Sequence, residues 1–290
     1  MAWWSLRNIA WLCLLGPLNS RVSAQNPAAR NLATIQAVYN ETVYPRNNMA
    51  IQTQGGSVSS LFDPGAKGRI SPLGNFTGAL DSIEYFYGLA PSPQTNPAGL
   101  GIFEAEVVEF TSGCAEVASS LVYLKAGQVN NVTGGLVPGS PVTILKQMAF
   151  WRFNASGAVQ LYEAFIPTLQ QWTNVATGID LGIGIFQAGD IAVQLCPAIQ
   201  AGCTGANQVY NDLLDCGAQL LLKDFGSFDE VWADNVVCRQ IHVLLTASRP
   251  DVHCPHVGPT GGGKCVDIDY RVDYFDDMEL FGMANPFMCP

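Results

Sequence analysis

The chain has 290 residues, 48% hydrophobic and 13% charged, with 14 Lys+Arg against 24 Asp+Glu and a formal net charge of −10. That acidic balance repels phosphate backbones and anionic lipid, which argues against nucleic acid and membrane surfaces as partners. The apolar share suffices for a sizeable core, in one large domain or two small ones.

The first residues, MAWWSLRNIAWLCLLGPLNSRVSAQ, have the pattern of a secretory signal peptide: Arg7, an apolar run, then Val22-Ser23-Ala24 as a small-residue cleavage site. The run is shorter than the roughly 20 residues that span a bilayer. Residues 1–24 are therefore expected to be a cleaved leader. Eight cysteines would remain, Cys114, Cys196, Cys203, Cys216, Cys238, Cys254, Cys265 and Cys289. An even number behind a leader predicts disulfides, although spacing does not choose the pairing. Glycosylation sequons at Asn40, Asn75, Asn131 and Asn154 point the same way, to a secreted protein or one of the secretory-pathway lumen.

LATIQAVYNETVYPRN places apolar residues at helical spacing and stops at Pro45. A Gly/Pro-rich connector over 54–75 follows. FTGALDSIEYFYGLAP then predicts a second helix, with Leu80, Ile83, Phe86 and Tyr87 on one side. From about residue 102 the period becomes two, and GIFEAEVVEF, EVASSLVYLKA, PVTILKQMAFWRF and AVQLYEAFIPTL predict four strands. Residues 25–189 thus read as an α+β domain, a curved antiparallel sheet wrapped on helices. Tyr39, Tyr85, Trp151 and Tyr162 are expected to line its interior, with Tyr39 and Tyr162 available to a substrate. Arg152 and Glu163 are expected to pair. Glu104 and Glu106 fit a carboxylate pair or an ordinary solvated strand face.

Residues 190–290 hold seven of the eight cysteines and predict a disulfide-rich helical extension. ANQVYNDLLDCGAQLLLKDF predicts one helix, with Val209, Leu213, Cys216 and Leu220 as its stripe. SFDEVWADNVVCRQIHVLLTASRP predicts another, opened by a Ser227/Glu230 capping box and stopped at Pro250. HCPHVGPTGGGKC, from 253, is expected to be loop. All three histidines fall here, His242, His253 and His256, beside Arg239 and Arg249. Three readings are open. Zinc could use Cys238, Cys254 and Cys265 with the histidines, but an oxidising compartment consumes thiolates. A structural reading puts the cysteines in bridges and the histidines on backbone carbonyls. A catalytic reading makes His253, His256 or His242 a general base, with Arg239 or Arg249 binding a carboxylate or developing enolate, and needs neither metal nor cofactor. The glycine run PTGGGK lacks the phosphate-loop spacing, and no G-x-S-x-G elbow supports a serine hydrolase.

The element order, together with LKQMAFWRFNASGAVQLYEAF as a closing strand pair, resembles the SnoaL-like and ketosteroid-isomerase-like cone fold over about residues 28–175. With the leader and an extension carrying C-R-x-x-H and H-C-x-H-x-G, the chain is similar to secreted isomerase-like proteins of filamentous fungi, including the dimerising cyclases of maleidride pathways. That resemblance implies a cofactor-independent cyclase joining maleic-anhydride polyketide monomers by proton abstraction and C–C bond formation. Its partner would be a small apolar or carboxylate- or anhydride-bearing molecule, and a homodimer is compatible with the family. No site residue is carried over from it. The rival readings are a small-molecule binding protein without catalysis and a zinc-dependent hydrolase.

Overall fold

The computed structural model describes residues 26–94, 96 and 98–290. The expected leader lies outside these residues. The architecture is α+β: an open, curved six-stranded sheet packed on helices and continued by a helical, disulfide-bonded half.

The four strands expected from alternation are present as β3 (Leu100–Thr111), β4 (Val117–Gln128), β5 (Thr143–Phe153) and β6 (Val159–Phe165), joined antiparallel in sequence order. Two more strands replace the expected connector: β1 (Phe62–Ser71) and β2 (Gly74–Thr77). The sheet runs β2-β1-β6-β5-β4-β3. β1 lies parallel to β6, so the sheet is not wholly antiparallel. β1 is Gly-rich for a packing reason. A Cβ on Gly68 would stand 2.0 Å from the ring of Tyr162, so only glycine lets the two strands meet with that ring between them.

The concave side is filled by α1 (Pro27–Asn40), α2 (Arg46–Gln52) and α3 (Ala79–Ile83). α3 widens at its end into one π-helical turn, Glu84–Gly88, a distortion that recurs at functional sites. Its Ile83, Phe86 and Tyr87 are buried as predicted, whereas Leu80 is exposed. Tyr39, Phe86, Trp151 and Tyr162 pack around one another in the core, Phe86 and Trp151 stacked and the other pairs edge-to-face or tilted.

The second half comprises α4 (Leu169–Thr177), α5 (Gly184–Asp190), α6 (Cys196–Gly202), α7 (Leu213–Leu220), α8 (Val236–Val243), α9 (Pro250–Val257), α10 (Tyr270–Asp273) and α11 (Asp277–Phe281). All eight cysteines pair: Cys114–Cys289, Cys196–Cys216, Cys203–Cys254 and Cys238–Cys265. Two expected boundaries move. The α8 cap is Asn235, whose side chain accepts from the Cys238 N–H at 2.7 Å, and Ser227 instead closes a turn with Asp229. Pro250 opens α9 rather than ending a helix, a position where its missing N–H costs nothing. The expected loop over 253–265 is thus mostly helical. Gly261, Gly262 and Gly263 all have positive φ, and a Cβ on Gly262 would stand 2.6 Å from the Pro255 carbonyl carbon.

The expected Arg152–Glu163 pair does not form. Arg152 donates to the carbonyls of Pro286 and Met288, while Glu163 is bound by Arg69 at 2.6 Å. Glu104 and Glu106 share Lys125 on a half-exposed strand face, the ordinary reading. The sequons divide: Asn40 and Asn131 are exposed, Asn75 and Asn154 half-buried, and Asn154 Nδ2 donates to Asp63 at 2.8 Å. No described helix is long and apolar enough to cross a membrane.

Candidate functional site

Two polar constellations stand out. The first is the histidine cluster. α8 supplies His242; α9 supplies His253 and His256, three apart and so on one helical face. The Cys238–Cys265 bridge fixes α8 to the segment after α9, and Cys203–Cys254 fixes α9 to α6. His242 Nδ1 and His253 Nδ1 lie 3.2 Å apart, and the opposite nitrogen of His253 meets Glu84 Oε2 at 2.9 Å. His242 and His253 therefore bond to each other, and His253 to a carboxylate, whereas His256 bonds to the backbone at Gly261 and Gly262 as the structural reading expected. With Nε2–H donated to Glu84, a neutral His253 presents a lone pair at Nδ1, so His242 Nδ1 carries the shared proton.

Glu84, on the π turn, is the hub. Arg249 grips both its oxygens and Ser248 donates to it at 2.7 Å. Burial alone would raise this carboxyl, but the hydrogen bonds from Arg249, His253 and Ser248 outweigh it and hold the group at about 2. Burial, then the neighbouring His256 and His253, pushes His242 well below the usual imidazole range. The same two effects, burial and the charge of His253, bring His256 down to about 4. Burial also lowers Lys264, whose Nζ donates to the Asn75 carbonyl at 2.8 Å.

The second constellation is a cavity of about 890 Å³. Tyr85, Phe86 and Tyr87 of the π turn form one wall, Leu124, Leu145 and Gln147 of the sheet another. α4 to α6 and α8 close it through Trp172, Asp190, Gln194, Gln240 and Ile241. No lysine, arginine or histidine is among its lining residues. Asp190 is its one carboxylate. Burial raises that carboxyl, and the amide of Gln240, which donates to Oδ2, opposes the rise. Tyr85 OH accepts from Gln147 Nε2 at 2.9 Å and keeps its own proton to donate. Burial raises its pKa, so it stays protonated. Four of the lining residues also carry a fully buried polar atom without a hydrogen-bond partner, behind the cavity surface: Asn47 Oδ1, Tyr87 OH, Trp172 Nε1 and Gln240 Oε1.

The residues expected to act together are divided between these places. His242, His253, His256 and Arg249 do converge, around Glu84, but none lines the cavity. Arg249 is committed through Nε and Nη2 to Glu84 and to Asp81, the latter at 2.8 Å. Arg239 is fully buried, and its nitrogens hold Asp234 and the carbonyls of Asn235, Gly258 and Pro259, so it fastens the extension instead of binding a substrate. Tyr39 and Tyr162 are core residues, with Tyr162 OH donating to Ser82 at 3.0 Å. Of the four aromatic residues expected inside, Tyr85 alone reaches the cavity. The cysteines offered to zinc are all in disulfides. Asp190 and Gln240 were not anticipated. Asp190 is the one charged residue between Asp180 and Asp212, a lone carboxylate in an apolar stretch, and that was its available signal.

Residues 161–268 match the family model described as the BfoA family C-terminal domain. The chain is 26% identical over 279 residues to the bifonsecin B biosynthesis cluster protein A of Aspergillus brasiliensis, covering 91% of this chain and 89% of that one. It is 27% identical over 276 residues to the aurasperone B biosynthesis cluster protein A of Aspergillus niger, covering 89% and 84%. Among solved structures, one described as a SnoaL-like polyketide cyclase from Jannaschia aligns over 53% of this chain and 96% of its own, at 14% identity and a TM-score of 0.35. A ketosteroid isomerase-like protein from Erwinia carotovora aligns over 50% and 98%, at 15% identity and a TM-score of 0.31.

Proposed function

We propose that this protein acts in secondary metabolism as a cyclase-type enzyme on a neutral, oxygenated polyketide-class molecule held in the cone cavity. The observation that carries the reading is the cavity lining: apolar and neutral polar side chains around one carboxylate, Asp190, with no cationic side chain. Such a lining rejects a carboxylate, which would be desolvated with no counter-charge, and suits a neutral ligand whose carbonyl and hydroxyl groups meet its neutral polar side chains. Its volume suits one drug-sized molecule or two small ones. A maleic-anhydride monomer, being neutral, meets the same demand, whereas the opened diacid does not. The biosynthesis-cluster relatives support the metabolic setting.

Asp190 is the general base in this reading. A carboxylate raised by burial is better matched to taking a proton from a carbon beside a carbonyl than a fully solvated one. Tyr85, steadied by Gln147, donates its hydroxyl proton to the oxygen on which negative charge develops. Turnover of a maleic-anhydride monomer is compared between the wild type and Asp190→Asn. The variant should bind as before and lose at least about 100-fold in kcat. The wild-type rate should fall as pH drops through the Asp190 pKa, because only the ionised carboxylate is a base. Unchanged kcat in the variant removes Asp190 from the mechanism. Binding without turnover by the wild type favours the carrier reading, which needs the cavity and no base.

A further inference from the structure

The histidine cluster lies outside the cavity, and the cyclase reading gives it no task. We propose that His242, His253 and His256 form a three-histidine site for a tetrahedral zinc ion, with the fourth position left for water or another small ligand. The ligating nitrogens of the three lie within 4.8 Å of one another. The 3.2 Å between His242 Nδ1 and His253 Nδ1 is close to the edge of a zinc tetrahedron, about 3.3 Å for zinc–nitrogen bonds of about 2.05 Å. His256 brings the third nitrogen; its Nδ1 is buried and has no hydrogen-bond partner. A small rotation of that ring completes the triangle.

The surroundings are those of an oriented metal ligand set. Glu84 accepts from the far nitrogen of His253, which fixes the tautomer that leaves Nδ1 free for metal. On binding, His242 moves its proton from Nδ1 to Nε2, and no net proton is needed or released. Disulfides lock both helices that carry the ligands, so little ordering remains to be done. Two cations lie near the cluster: Arg249 is neutralised by Glu84 and Asp81, and the Lys264 ammonium is tied back to the Asn75 carbonyl and the Phe76 ring. The thiolate sites weighed from the sequence are unavailable, so the set is nitrogen alone, a donor type that suits zinc.

The test uses untagged, oxidised full-length protein from a secretory host, stripped with chelator and titrated with zinc chloride. The wild type should take up one equivalent, and cobalt(II) in its place should give the intense visible bands of a tetrahedral ion. His256→Ala and His242→Gln, with all four disulfides verified by mass, should lose that equivalent. Glu84→Gln should weaken binding by about 10–100-fold. The proposal fails if the stripped wild type takes up no zinc, a result that needs no variant to interpret. It fails equally if His256→Ala binds zinc as tightly as the wild type, because the uptake would then be elsewhere.

Discussion

The cavity and the histidine cluster are neighbours, since the π turn carrying Glu84 also carries Tyr85, yet they are built on opposite rules. At Glu84 the charges are paired among themselves: Arg249 meets Glu84 and Asp81, and His253 closes the same hub. In the cavity the polar side chains are neutral apart from Asp190, and no cation faces it. A saturated charge network holds elements together, whereas an apolar chamber with a few polar groups suits a guest. The difference teaches that clustering of charged residues marked where the helical half is fastened to the sheet half, and that the ligand chamber lay among residues with no such signature.

Breaking the hub should produce the largest effect. In chelator-treated protein, Glu84→Gln removes the buried carboxylate that Arg249, Ser248 and His253 all bond, leaving Arg249 only Asp81, and should cost about 3 kcal/mol, read from urea midpoints at pH 7. The pH dependence follows from the depressed Glu84 pKa, about 2 in the fold against an ordinary 4.5. Its stabilisation is complete above about 4.5 and is lost as pH falls toward 2. Wild-type midpoints should drop through that window, and the variant should lack that component of the slope.

A smaller effect is expected where the two halves of the sheet meet. Gly68→Ala drives a methyl into the Tyr162 ring and should destabilise by about 1–3 kcal/mol in the same assay. A midpoint equal to wild type would mean that Tyr162 moves aside without cost. Leu124→Trp sharpens the contrast from the other side. It should fill the cavity and cut affinity for an apolar ligand by at least tenfold while leaving the Glu84 pH transition in place. Loss of both together would show that the two constellations are coupled. The smallest effect concerns the surface: peptide mapping should find glycan on Asn40 and Asn131, and little on Asn154, whose amide is engaged by Asp63.

Much of the architecture could be read before the structure. Strands β3 to β6 showed themselves because one face of each is buried, and that burial imposes the period of two. β1 did not, because FDPGAKGRIS exchanges alternation for glycines that allow close approach to Tyr162. The grouping of His242, His253 and His256 was legible from spacing alone, since two adjacent helices carry them. Their partner Glu84 was not, lying 169 positions from His253 in the chain. Arg239 illustrates the opposite error. A guanidinium beside histidines reads as chemistry, but its donors are all spent on local carbonyls and Asp234.

The Cys114–Cys289 bridge joins residues 175 positions apart, from the β3–β4 turn to a point beyond every helix. During synthesis the sheet and both faces of the cavity have emerged before Cys289 exists to be oxidised. The molecule therefore has a built-in sequence of assembly, in which this strap closes after the elements it encloses. Until then Cys114, partly exposed at the sheet edge, has no native partner to pair with. The pairing of Cys114 is therefore a reporter of how far assembly has gone.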